Sequence, residues 1–349
     1  MESTATPPRH RPASGQSQPR PDAPPYRVDR LSEERAREGW MEEVLADDRT
    51  LYLPLRPGQG ALGVESLATD RALQMVERSV LPAGEPTLHV YLGRVEDLST
   101  SPAAGRHVVA IVHPGAVWGQ WKDAGHDGGA RWAGLRALAP VLEAAEAELL
   151  TQATAIAAWH AGHTHCPRCG APTTVVQSGW VRLCPQDSSQ HFPRTDPAII
   201  VSVIDDQDRI LLGANARWGG QRYSTLAGFV EPGETLEAAV IREVGEEAGI
   251  VVSEPAYVSS QSWPFPASIM LAFTARATQT SVRPDGEEII ALRWFTRAEL
   301  AAAVRAGDVT PPTPLSVARH LIENWYGSSL PEPQASPATD GAGPPVAGR

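Results

Sequence analysis

The chain has 349 residues, room for two or three domains that can each bury a core. Its 30 basic against 41 acidic residues give a net charge of −11, which argues against a general nucleic-acid or anionic-membrane binder, since either needs a basic face. The three cysteines, Cys166, Cys169 and Cys184, are too few and too odd in number for a disulfide framework and suggest a metal site or spare thiols. No stretch approaches the ~20 apolar residues of a membrane span. The N-terminus lacks the apolar middle of a signal peptide, so a cytoplasmic protein with reduced thiols is expected.

In chain order, residues 1–25 and 327–349 are rich in Pro, Gly, Ala and Ser and are expected to be disordered tails. Residues 26–160 read as an α+β domain. Strand-like runs at Leu51-Tyr52-Leu53, Leu88 to Leu92 and Val108 to Val112 are separated by Pro/Gly breaks. A helical pattern then runs from Trp132 to Trp159, divided in two by Pro140. Residues 161–195 are poor in large apolar groups and need a staple to fold. Residues 196–326 form an α/β unit. A buried strand at Ala198–Ile204, a turn over 205–208 and a returning strand at Arg209–Gly213 open it. Further strands fall near 222–230, 255–262, 268–276 and 289–295, with helices near 235–248, 297–305 and 314–326.

The strongest chemical signal is Gly228, five residues, Glu234, seven residues, then Arg242-Glu243-Val244-Gly245-Glu246-Glu247-Ala248-Gly249-Ile250. Thr235 is the expected N-cap of a helix on which Glu243, Glu246 and Glu247 stand at i, i+3 and i+4, on one face. Clustered carboxylates repel and raise one another's pKa, and a hard divalent cation relieves that cost. Arg242 stands beside them, where it can brace a carboxylate. Gly228 and Gly233 let the loop bend close to metal and phosphate. A solvated acidic helix face has no reason to reproduce the glycines and the arginine in this register.

At every fixed position this segment resembles the Nudix box, so the chain is identified as a member of the Nudix hydrolases. The resemblance implies a Nudix α/β/α sandwich, a Mg²⁺ or Mn²⁺ cofactor held by Glu243, Glu246, Glu247 and the distal Glu288, and hydrolysis of a diphosphate. Glu246 or Glu247 is the candidate base, with Arg242 in support. Downstream, Ser260-Gln261-Ser262-Trp263-Pro264-Phe265-Pro266-Ala267-Ser268 resembles the signature of the NADH pyrophosphatase branch, with Ser262 where that signature carries Pro. Trp263 and Phe265 supply flat apolar faces held by Pro264 and Pro266, and Gln261 and Ser268 add polar groups able to orient a nicotinamide or its ribose. A loop packing a domain or subunit interface is the plainer reading of the same residues.

The resemblance further implies that Phe229 packs on a base and that Phe192, Ala227 and Ala318 line the pocket. Arg136 matches more weakly and reads better as a surface salt-bridging residue. The activity implied is cleavage of NADH or NAD⁺ to the nicotinamide mononucleotide and AMP, with removal of NAD caps from RNA 5′ ends as a further family activity. A homodimer with shared sites is implied as well. Two other readings are open: a Nudix hydrolase of ADP-ribose or a related compound, and a non-catalytic zinc-ribbon and Nudix binding module.

Cys166-x2-Cys169-x14-Cys184 is three quarters of a zinc ribbon, placed between the two larger domains. The related family carries four cysteines here, and the position of the fourth is held by Asp187. His191, His163 and His165 are the other candidates to complete a structural Zn²⁺ site, and a ribbon folding on packing alone is the alternative.

Overall fold

A computed structural model describes residues 27–332, apart from 58–63, 70–71, 85, 98, 124, 126–128 and 219–220. The expected tail over 1–25, and residues 333–349 of the other, lie outside the described residues. Leu330 is 3% exposed and packs against Ile322 and Trp325, so the folded chain continues past the expected boundary at 326.

The N-terminal domain comprises β1 (Val28–Asp29), α1 (Trp40–Ala46), β2 (Leu51–Pro57), β3 (Val64–Ala68), β4 (Val76–Glu77), β5 (Leu88–Val95), β6 (His107–Val112), α2 (Gly115–Asp123), β7 (Arg131–Gly134), α3 (Leu135–Leu138) and α4 (Ala144–Gly162). The sheet runs β1-β5-β6-β2-β3-β7, with β4 on β2 and a parallel β2–β6 pair. Period-2 alternation gives the central strands β2, β5 and β6 two buried faces. Leu51, Leu53, Val90, Leu92, Val108 and Ala110 meet α4. Tyr52, Tyr91, Val109 and Ile111 pack with Val44 of α1 and Trp118 and Trp121 of α2.

The helix expected from Trp132 is corrected. Residues 131–134 are an edge strand paired with β3, Leu67 opposite Trp132, and the long helix begins only at Ala144 beyond Pro140. Strand pairing overrides the helical propensity of this Ala- and Leu-rich run. The stretches of β3 and α2 carry too weak a period to stand out in the sequence.

A three-stranded ribbon follows: β8 (Thr174–Val176), β9 (Val181–Leu183) and β10 (Gln190–His191), in the order β10-β9-β8. It is fastened to the N-terminal domain by polar contacts. His160 of α4 donates through Nε2 to Gly179 O at 2.8 Å and accepts through Nδ1 from Arg182 at 3.0 Å. The Trp180 indole donates to Tyr91 O at 2.8 Å. Burial lowers the His160 pKa to about 4, which keeps the imidazole in the neutral form these contacts need.

The C-terminal domain contains β11 (Asp196–Ile204), β12 (Ile210–Asn215), β13 (Leu226–Phe229), α5 (Leu236–Ala248), β14 (Val252–Trp263), β15 (Ser268–Ala277), β16 (Ile289–Phe295), α6 (Arg297–Ala306) and α7 (Val317–Tyr326). The sheet order is β14-β15-β11-β12-β16, with β13 on β11 and β11 parallel to β15. Ile199, Val201 and Val203 of β11 pack with Ala239, Val240 and Val244 of α5. On the opposite face, Ile200 packs with Val317, Ala318 and Leu321 of α7. The result is an α/β/α sandwich with α5 on one face and α6 and α7 on the other.

Candidate active site and metal centre

Helix α5 is fixed at both ends by its own sequence. The Thr235 hydroxyl accepts from Ala238 N at 3.2 Å, and Gly249 closes the C-terminus with a left-handed φ of 68°. From this helix Arg242 reaches back to the loop before it. Its Nε and Nη2 donate to Glu234 at 2.8 and 2.9 Å, and Nη2 also donates to Phe229 O at 2.9 Å. Nη1 donates to Glu243 at 2.9 Å and Glu246 at 3.0 Å. One planar guanidinium thus ties the loop to two helix carboxylates. The same bonds hold Glu234 down to about 2.

Gly228 is required for a steric reason. A Cβ there would stand 1.9 Å from the carboxyl carbon of Glu243, so only a glycine lets that carboxylate lie against the β13 backbone.

The glutamates divide by environment. Glu247 is 5% exposed, and its Oε2 has no hydrogen-bond partner. Burial first, then the charges of Glu243 and Glu288, push its pKa up to about 8, against a backbone hydrogen bond from Ala227. Burial also raises Glu243. Glu288 accepts from Asn215 Nδ2 at 3.3 Å, and its backbone is pinned by Asp285. Glu246, expected on the same face, keeps a side chain 60% exposed and turned to Arg242. A buried carboxylate oxygen without a partner, facing two more carboxylates, fits a hard divalent cation. Among the described residues these oxygens do not converge to within 4.8 Å of one another as the ribbon ligands do.

Ala227 joins this acidic centre to a cavity of about 190 Å³ lined also by Trp218, Arg222, Trp263, Met270 and Ala318. Outside it opens a second space of about 530 Å³ between the domains, walled by Arg136, Trp263, Pro264 and Phe265. Trp263 and Phe265 meet edge to face at 5.2 Å. The Arg136 guanidinium lies 4.1 Å from the Phe265 ring and 5.7 Å from that of Trp263. Arg136 therefore stacks on the aromatic wall, and among the described residues it makes no salt bridge.

The other expected pocket residues take different parts. Gln261 lines both spaces, but its amide is already engaged, donating to Leu315 O at 2.7 Å and accepting from Val317 N at 2.9 Å. It clamps β14 to the start of α7. Ser268 is buried at the first position of β15, opposite Trp263. Pro266 follows a cis peptide after Phe265. Phe192 and Phe229 are each 59% exposed and line neither space. Trp218 and Arg222, which the sequence did not single out, do line them; they carry no local motif that would have flagged them.

In the ribbon, two turns are built alike. Gly170 N donates to Cys166 O at 2.9 Å and Ser188 N to Cys184 O at 3.0 Å, with Gly170 and Ser188 both left-handed. Cys169 and Asp187 occupy the same place in these two knuckles. Ligand atoms of Cys166, Cys169, Cys184 and Asp187 all lie within 4.8 Å of one another. Ser189 holds the Asp187 carboxylate through its N–H at 2.9 Å and its hydroxyl at 2.5 Å, keeping the acid well below the usual carboxylate range. His191 is one step removed, bonded to the Ser189 hydroxyl, while His163 bonds Trp159 O and His165 bonds Thr164. Three thiols and one carboxylate suit tetrahedral Zn²⁺.

Family comparisons agree with this three-part arrangement. Residues 193–312 match the NUDIX domain, 162–192 the NADH pyrophosphatase zinc ribbon domain and 54–159 the NADH pyrophosphatase-like rudimentary NUDIX domain. The fold and the acidic helix thus define a Nudix hydrolase. The NAD-capped RNA hydrolase NudC of Mycobacterium tuberculosis is 36% identical over 292 residues, 77% of this chain and 86% of that protein. NudC of Stutzerimonas stutzeri is 39% identical over 206 residues, 59% of this chain and 71% of that protein. NAD-capped RNA hydrolase NUDT12 of Macaca fascicularis is 39% identical over 197 residues, 53% of this chain and 42% of that protein. The chain belongs to the NudC family of NADH pyrophosphatases.

Proposed function

We propose that the chain hydrolyses the diphosphate of NADH and NAD⁺ to NMN(H) and AMP, and removes NAD caps from RNA 5′ ends, with Mg²⁺ or Mn²⁺. The reading rests on Ala227, which both bonds the buried Glu247 and lines the cavity, so a diphosphate tethered to a base in that cavity lies beside the carboxylates. Glu243, Glu247 and Glu288 would hold the cation. When bound, it supplies Lewis acidity toward the phosphate oxygens and acidifies water. Arg242 keeps Glu243 and Glu246 in place. Glu246, the most open of the three helix glutamates, accepts the proton of the attacking water. The water oxygen bonds to one phosphorus, the bridging P–O bond breaks, and the two mononucleotides separate. The inner cavity takes one ring, and the Trp263–Phe265–Arg136 wall orients the remainder.

Cys166, Cys169, Cys184 and Asp187 would hold a structural Zn²⁺ that fixes the ribbon. A homodimer is part of the same reading, because a second protomer would cover the exposed Phe192 and Phe229 rings. No described helix is long and apolar enough to cross a membrane, and we place the protein in the cytoplasm.

Incubation of the purified protein and Mg²⁺ or Mn²⁺ with NADH, NAD⁺, ADP-ribose or NAD-capped RNA tests the assignment. NADH yielding NMNH and AMP faster than ADP-ribose is cleaved is the expected result, and the reverse order overturns it. Light scattering on the eluting protein reads the oligomeric state.

A further inference from the structure

The two spaces described above continue into a third. The inner cavity and the aromatic-walled space share Trp218, Arg222 and Trp263. The aromatic-walled space in turn shares Ala139, Thr151, Ser262 and Leu315 with an outer cleft of about 430 Å³, lined further by Arg30, Glu148, Gln152, Arg194 and Thr195. Together they form one trench between the N-terminal and C-terminal domains, leading from the acidic centre to the surface.

Its charge runs against that of the whole protein. Among the described residues, Arg30, Arg136, Arg194 and Arg222 line it with a single acid, Glu148, in a chain that carries 41 acidic residues against 30 basic ones. Arg194 is paired with Asp196 at 2.9 Å, and Arg30 stands 5.8 Å from the Trp180 ring. Thr195 and Ser262 offer exposed hydroxyls, and the floor holds Gln152, 6% exposed, with neither amide atom bonded.

A free dinucleotide has one diphosphate and two rings, which the acidic centre, the inner cavity and the aromatic wall already receive. The outer cleft therefore has nothing of NADH left to bind. Its cations and hydroxyls match a ribose-phosphate chain. We propose that the outer cleft is the track for the RNA that continues from the adenosine of an NAD cap, with Arg30 and Arg194 against the phosphates that follow the cap. The adenosine is then the half of the cap nearer the aromatic wall, since only it carries the polynucleotide.

This inference rests on the diphosphatase reading, and the test separates the two. kcat/KM is measured for NADH and for a short NAD-capped RNA, on the wild type and on a double variant, Arg30→Gln with Arg194→Gln. Both side chains are exposed, and a thermal melt checks folding. The expected result is a loss of about tenfold or more on capped RNA, with a salt slope shallower by about 1 for each arginine, and an unchanged value on NADH. Equal loss on both substrates, or no loss on either, overturns the track. Failure of the wild type to cleave NADH would instead overturn the diphosphatase reading. Fluorescence anisotropy of labelled capped RNA, read without turnover, still decides the track: equal affinity for wild type and double variant overturns it, and weaker binding by the variant upholds it.

Discussion

Glu247 shows how one position stores the requirement for a cation. Its carboxylate is buried among like charges with one oxygen unbonded, which destabilises the metal-free fold. Glu247→Gln keeps the shape and removes the charge. Its NADH hydrolysis is expected to fall by about 100-fold or more, while its melting temperature without metal stays equal or rises. Steady-state kinetics beside a thermal melt checks both, and a large loss of stability would contradict the account. Asp187 poses the matching question in the ribbon. Asp187→Ala should lose bound zinc, read by metal analysis of the purified protein, whereas Asp187→Cys should retain zinc longer against a chelator, because thiolate is the softer ligand. Zinc content unchanged in Asp187→Ala would remove the carboxylate from the site.

At the scale of elements, the ribbon depends on contacts to a neutral histidine. The His160 pKa is lowered to about 4 from an ordinary 6.5, so the unfolded chain binds more protons than the folded chain between these values. The stabilisation is fully present above pH 6.5 and is lost as pH falls toward 4, amounting to about 3 kcal/mol. In His160→Gln that share of the pH dependence should vanish, visible as a flatter curve of melting temperature against pH over this range. Helix α5 shows what local sequence can specify. Its N-cap at Thr235 and an arginine placed to brace a carboxylate were legible in the local spacing, whereas the left-handed Gly249 that closes the helix and the choice of Glu234 as the braced group were read only from the fold. The divergence of Glu246 from Glu243 and Glu247 was not legible either, since periodicity places side chains on a face but does not say which neighbour captures each one.

At the scale of the whole molecule, the substrate wall belongs to two domains. Arg136 comes from α3 and stacks on Phe265 and Trp263, which stand more than a hundred residues later. Arg136→Ala should therefore raise the KM for NADH by about 3- to 30-fold, the span of a cation–π contact, and leave kcat nearly unchanged. A fall in kcat with KM preserved would count against the wall as a binding surface. The order of domains, the Nudix box, the cysteine pair of the first knuckle and the aromatic loop were determined by the sequence alone, because each is written in contiguous residues at fixed spacing. Tertiary structure decided the rest. Strand pairing turned residues 131–134 from helix to strand, hydrogen bonding to α7 committed the Gln261 amide, and domain packing gathered Arg30, Arg136, Arg194 and Arg222 into a basic trench. A net charge of −11 sums over the chain, whereas a field acts over a few ångströms, and only folding determines which charges share that distance.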